Sequence, residues 1–348
     1  MNYSSLKGKV ISVNSIPYSV EFNTPFKSSE GSIEKREGAF IKLSGLGLKG
    51  YGEASPLPGY SIDSLNLVSQ ILSTLENKNF LVEELLDLAQ ELPSLEFGIS
   101  SALGDLLGKL ESKPLRFLIS EKPSNSIQIS QLGKQTASRT QVVKLKVSPS
   151  NGKEIEEIVT KNQGKKTFRI DANRSFEFKE SLDFFSKTSS SNIQYVEEPF
   201  SKPCLESVEE FFQKTGISIA LDESIYKKDC NIEKLAKSEA ISAFVIKPCF
   251  IGSLEKIVRL SKVAEDSGKK VIFSSPFDYF FGMASNLQIA AALSNGEPAG
   301  FDTFRYFKAP SDLPNMMWEE EAIQCNDMPG LGIEEQADFI YQHYQKMV

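Results

Sequence analysis

VVKLKV at 142–147, TFRID at 167–171, IQYVEE at 193–198, ISIALDE at 217–223 and AFVIK at 243–247 are short apolar, β-prone runs, each ending on or near an ionisable residue. Lys146, Asp171, Glu197, Asp222 and Lys247 follow one another at intervals of 25, 26, 25 and 25 residues. A stretch of helical pattern follows each run, and one strand–helix unit needs about this length. A closed barrel of such units gathers its strand C-termini on one rim. The spacing therefore predicts three carboxylates between two lysines in a single pocket. A lone aspartate at a strand end is commonly a helix cap, and a lone KxK is commonly a solvated strand face. Five such residues in register are not explained that way.

Working outward, SIQISQLG (126–133), KKVIFSSP (269–276) and AGFDTF (299–304) supply the remaining strands, for eight in all. The expected class is α/β: a modified TIM barrel, (β/α)7β, over residues 121–310. A doubly wound open sheet is the alternative, weakened because no GxGxxG follows the first strand. The N-terminal part reads differently. VISVNSIPYSVEF (10–22), GAFIKLSG (38–45) and KGYGEASPLPG (49–59) suggest three antiparallel strands, and 62–76, 80–92 and 94–112 carry helical spacing. Strands followed by helices predict an α+β capping domain over 1–120, completed by the returning tail 311–348.

The 348 residues are 40% apolar, enough for a sizeable core. A net charge of −7 without a basic run argues against a nucleic-acid partner. No stretch approaches the length of a membrane span, and MNYSSLKGKV carries no secretory h-region, so a cytoplasmic protein is expected. Its four cysteines have no metal-like spacing. The one histidine, His343, falls in a polar-aromatic tail and is expected on a terminal helix surface. This scarcity excludes a Ser-His-Asp triad and a multi-histidine zinc site.

On a strand alternate residues face the same way, so Lys144 joins Lys146 and Asn173 joins Asp171. Three carboxylates without His or Cys ligands suit a hard cation, Mg²⁺ first and Mn²⁺ second. Such an ion stabilises the enediolate formed when a proton is removed beside a carboxylate. An ordinary lysine titrates near ~10.4, so a lysine base at neutral pH needs its charged form disfavoured by about 4 kcal/mol. A second ammonium nearby and the ion both act in that direction. The partner implied is a small-molecule carboxylate; the oligomeric state is open.

KLK at 144–146, DAN at 171–173, VEEP at 196–199, LDES at 221–224 and IKP at 246–248 resemble the muconate-lactonizing-enzyme subgroup of the enolase superfamily. Within it, GYGEASPLPGYS (50–61), PSLEFGISSALGDL (93–106), FRIDANRSF (168–176), FSSPFDYFFG (273–282) and GFDT (300–303) look like the o-succinylbenzoate synthase family. The resemblance implies Asp171, Glu197 and Asp222 as Mg²⁺ ligands, with Glu197 chosen over Glu198 by motif alignment. It implies Lys146 as base and then acid, Lys247 as stabiliser of the enediolate, and Lys144 as the group that tunes Lys146. Arg169, Asn173, Ser274, Ser275 and the Gly300 backbone are its candidate substrate contacts, and loop 55–61 closes over the substrate. The implied reaction is syn-dehydration of a succinyl-bearing cyclohexadiene carboxylate in menaquinone biosynthesis. Racemisation of N-acylamino acids or epimerisation of dipeptides on the same scaffold is the first alternative. A non-catalytic metal- or carboxylate-binding barrel is the second.

Overall fold

A long first strand, β1 (Val10–Ser28), pairs antiparallel with β2 (Gly31–Gly45), which pairs in turn with β3 (Leu48–Ala54). The computed structural model describes residues 3–28, 31–133, 140–188, 191–226, 231–308 and 321–347. The β2–β3 turn, Leu46–Gly47, has both residues at positive φ, the twist a two-residue hairpin needs. A fourth strand, β4 (Lys78–Leu81), takes the free edge of β1 and completes the order β3-β2-β1-β4. The helical pattern read over 80–92 missed it, because four residues with one side chain partly buried carry no usable periodicity.

Helices α1 (Leu65–Leu75), α2 (Val82–Ala89) and α3 (Pro93–Leu110) follow the meander. Pro93 opens α3, where its missing N–H leaves nothing unpaired. Buried on nearly every face, α3 lies on β3 at backbone contact. A Cβ on Gly52 would stand 2.0 Å from the Gly98 carbonyl oxygen, and one on Gly50 2.0 Å from that of Ala102. Gly52→Ala is therefore expected to destabilise the fold by about 3 kcal/mol through overpacking, read as a lower denaturation midpoint. An unchanged midpoint would show that the helix can move off the sheet.

A short helix α4 (Leu115–Ile119) leads into the second sheet. SIQISQLG, read as one barrel strand, is divided: β5 (Ser126–Gln128) pairs antiparallel with β13 (Ala322–Gln324) of the returning tail, and only β6 (Gln131–Leu132) enters the parallel sheet. After it come β7 (Val142–Lys146), β8 (Thr167–Asp171), β9 (Ile193–Glu197), β10 (Ile219–Leu221), β11 (Ile241–Ile246) and β12 (Lys270–Phe273), adjacent in sequence order. Ala299 and Gly300 close the ring as a two-residue eighth strand. Ala299 bridges Ile129 on one side and Gly300 bridges Ser274 on the other. The chain is thus an α/β barrel with an antiparallel N-terminal sheet beside it.

Among the described residues, helices α5 (Gly152–Lys161), α6 (Phe178–Phe185), α7 (Leu205–Thr215), α8 (Ile232–Ala236), α9 (Pro248–Ile251), α10 (Leu254–Asp266) and α11 (Phe280–Leu293) cover the outside. The inside holds a small separate cluster of Tyr195, Ala220, Ala243, Val245 and Ile272. Glu197, Asp222 and Lys247 each lie two residues beyond a member of that cluster. The strand period of two therefore turns them inward above it.

The last helix, α12 (Glu334–Gln345), packs against β1, and the Tyr344 hydroxyl donates to the Tyr279 hydroxyl at 3.2 Å. It carries His343, whose ring lies edge-on to that of Tyr344. Residues 311–320, the expected start of the returning tail, lie outside the described residues. No helix among those described is long and apolar enough to cross a membrane.

Candidate active site

The registers of β7, β8 and β9 set Lys146 beside Asp171 and Asp171 beside Glu197 as direct cross-strand partners. Flush strand ends make the even spacing a ring. Lys144, one turn of the pleat deeper, reaches up between the carboxylates. Its Nζ lies 3.0 Å from Asp171 Oδ2 and 2.7 and 2.8 Å from the two oxygens of Glu197. Across the ring, Lys247 Nζ donates to Asp222 Oδ2 and lies 3.5 Å from Glu223 Oε1. Asp171 Oδ1 accepts the backbone N–H of Asn173 at 3.0 Å, in a turn where Asn173 and Arg174 take positive φ.

Glu197 and Glu198 part ways at the end of β9. Glu198, at φ 43°, turns out of the ring. Its buried carboxylate accepts from the backbone N–H groups of Asp222 and Ser224, both at 2.9 Å, and from Ser224 Oγ at 2.7 Å. It templates the turn that carries Asp222, while Glu197 faces Lys144.

Lys146 stands apart from the other two lysines. Among the described residues no carboxylate pairs with it, and its ammonium lies 5.1 Å from the centre of the Phe26 ring. Enclosure by protein lowers its pKa below the ordinary lysine value; Asp171 opposes this, while Lys144 and Lys247 reinforce it. The side chain is open to the cavity. Burial also presses on Lys144 and Lys247. There the carboxylates win: Asp171, Glu197 and Asp222 hold Lys144 above the usual range, and Asp222 and Glu223 hold Lys247 above it. Three lysines of one type thus divide into two held charged by carboxylates and one whose charged form is disfavoured.

Among the described residues no three acidic side chains converge on one point as they stand. The two ammonium groups draw the carboxylate oxygens toward themselves. The donor set nonetheless fits a hard divalent ion, being all oxygen and all carboxylate. Asp222 Oδ1 is buried with no hydrogen-bond partner among the described residues. Burial and the neighbouring Glu223 push the Asp222 carboxyl up, against the pull of Lys247. This is a carboxylate short of positive charge.

The ring opens into a cavity whose empty space, counted out to open solvent, is about 710 Å³. Asn173, Ser274, Ser275 and Gly300 line it. So do Leu57 and Tyr60 of loop 55–61, with Phe26, Phe250 and Phe277 as apolar walls. These aromatic positions, and Glu223, were missed in the sequence. Phe277 lies inside the FSSPFDYFFG motif without standing out in it, and Phe26 arrives from β1, more than a hundred residues from the ring. Glu223 had a signal: it directly follows Asp222.

Arg169 is not among the cavity's residues, which corrects its reading as a substrate contact. It shares the inward face of Asp171, but its guanidinium points away from the rim. Nε donates to Gln194 Oε1 at 2.6 Å, Nη1 to the Pro298 carbonyl at 2.6 Å, and Nη2 pairs with Glu297 at 3.1 Å. A long side chain on a short strand can reach either end of a barrel, and here the partners at the strand N-termini take it. Arg169→Met is expected to lower stability by about 1–3 kcal/mol through loss of charged hydrogen bonds, with KM unchanged. A raised KM at unchanged stability would restore the substrate role.

Residues 129–339 match the family model described as "Enolase C-terminal domain-like", and residues 12–106 match "MenC, N-terminal domain". The chain belongs to the enolase superfamily, and is an enzyme of it, a lyase or isomerase. It resembles the o-succinylbenzoate synthase of Aliivibrio salmonicida, 29% identical over 81% of this chain and 87% of the relative. That of Haemophilus influenzae is 27% identical over 90% of this chain and 98% of the relative. Among solved structures, the dipeptide epimerase of Enterococcus faecalis, complexed with Mg and L-Leu-L-Tyr, superposes with a TM-score of 0.81 at 19% identity, covering 93% of this chain and 99% of that one. The muconate lactonizing enzyme of Pseudomonas fluorescens gives 0.80 at 17% identity, covering 95% and 99%. These likenesses show the shared fold.

Proposed function

We propose that this enzyme dehydrates 2-succinyl-6-hydroxy-2,4-cyclohexadiene-1-carboxylate to o-succinylbenzoate, a step of menaquinone biosynthesis. The observation that carries the reading is the division among the lysines: Lys146 without a carboxylate partner among the described residues, Lys144 and Lys247 paired. The curated relatives named for this reaction, and the N-terminal model that accompanies it, support the choice of substrate.

Neutral Lys146 takes the proton from the ring carbon that bears the carboxylate. Lys247, kept charged by Asp222 and Glu223, faces the negative charge that develops on that carboxylate. Lys146, now an ammonium, returns the proton to the departing hydroxyl on the same face, so water leaves and the ring becomes aromatic. Asp171, Glu197 and Asp222 would hold Mg²⁺, which supplies further positive charge beside the substrate carboxylate. The apolar walls take the ring and exclude water, and Ser274 offers its hydroxyl to the succinyl arm, while the Ser275 hydroxyl is held by Asp278.

Purified protein with Mg²⁺ and the cyclohexadiene substrate is expected to form o-succinylbenzoate, followed by its aromatic absorbance. No product would sink the assignment. Racemisation or epimerisation needs a second base on the opposite face, a role that the paired Lys247 fits poorly. Deuterium incorporation at the α-carbon of N-acylamino acids or dipeptides, without dehydration, would favour it.

A further inference from the structure

One wall of the cavity is built by two loops distant in sequence. Leu57 and Tyr60 come from residues 55–61 after β3, and Ser275, Pro276 and Phe277 from residues 274–279 after β12. Behind both lies Arg36 of β2, 1% exposed and outside the cavity lining. Its Nη2 donates to the Ser55 carbonyl and its Nη1 to those of Pro56 at 2.8 Å and Glu37 at 3.2 Å. Its Nε donates to the Phe277 carbonyl at 3.1 Å. One planar fork thus grips the backbone of both loops, and its rigidity fixes their separation. Asp278 adds a second tie. It accepts from Ser275 Oγ at 3.1 Å and from Asn286 Nδ2 at 2.7 Å, with Ser55 Oγ at 3.5 Å. A β-sheet needs none of these bonds for its own ladder. Three of the four carbonyls that this buried cation reaches, those of Ser55, Pro56 and Phe277, belong to the two loops, and the fourth, that of Glu37, is on β2 itself.

We propose that Arg36 is a positioning residue that locks the two loops into one wall and thereby sets the pocket's width on the side that those loops build. The choice of substrate rests on the dehydratase reading; the coupling of the loops does not. The test compares wild type, Arg36→Met and Arg36→Lys by amide hydrogen exchange and by steady-state kinetics. In Arg36→Met, exchange is expected to speed up about tenfold or more in 55–61 and 274–279 together, with β7–β9 unchanged. KM should rise about tenfold while kcat stays within about threefold, the pattern of lost uniform binding. Arg36→Lys, with one ammonium in place of a fork, should fall between. Should the methionine variant fail to fold, the lysine variant carries both readouts. Faster exchange in one loop alone, or both loops loosened with KM unchanged, would overturn the proposal. A wild-type protein without dehydratase activity sinks the functional reading alone, because the exchange result still judges the coupling.

Discussion

Lys146→Ala is expected to lower kcat for the proposed dehydration by about 10⁴-fold, the upper end of what one acid–base group supplies, because the proposed mechanism uses this amine at both proton transfers. Mg²⁺ affinity should stay within a few-fold of wild type. The asymmetry follows from the ion pairs. Lys144 binds Asp171 and Glu197, and Lys247 binds Asp222, so loss of Lys146 leaves the carboxylate set and its counter-charges in place. Calorimetric Mg²⁺ titration beside a rate assay checks both halves. A variant keeping more than about a tenth of the rate would remove Lys146 from the role of base. Full loss with Mg²⁺ binding retained would also exclude a non-catalytic binding barrel.

Glu197→Ala should have the second largest effect, through the ion rather than the proton. Glu197 supplies both of the closest acceptors to Lys144 Nζ, at 2.7 and 2.8 Å. Without it the ring loses one of three carboxylates, and the Lys144 ammonium keeps only Asp171. Two positive charges would then compete for one anion, and Mg²⁺ affinity is expected to fall by more than about 100-fold, beyond the cost of losing an outer-shell partner. Activity should fall with it and recover in part at high Mg²⁺. Glu198→Gln, one residue along, should weaken Mg²⁺ by about tenfold at most, since Glu198 acts through the Asp222–Ser224 turn. If the two variants behaved alike in titration, the division of labour between the neighbours would be wrong.

The parallel sheet was legible because it is periodic. Each strand is short, buried and apolar, and ends where the chain turns into a helix, so charged residues at those ends recur with the length of the unit. The N-terminal meander was legible for its alternation, and β4 was not, having four residues and little burial. The split of SIQISQLG between two sheets was invisible for a different reason. Its first half is paired by residues 322–324, almost two hundred positions away, and no local pattern announces such a partner.

The amino-acid sequence by itself determined the ring: which residues stand at the strand ends, in what order, and on which face, since strand period and unit length are local properties of the chain. It could not decide what those residues do to one another. Arg169 and Asp171 share a face, yet one turns to the strand N-termini and the other to the rim. Lys144, Lys146 and Lys247 are chemically the same side chain, and only the distances to Asp171, Glu197 and Asp222 give two of them carboxylate partners and leave the third without one among the described residues. Arg36 carries no motif, and its grip on two loops exists only where β2 passes behind them. Charge state and reach depend on neighbours brought together by folding, and those the tertiary structure alone decided.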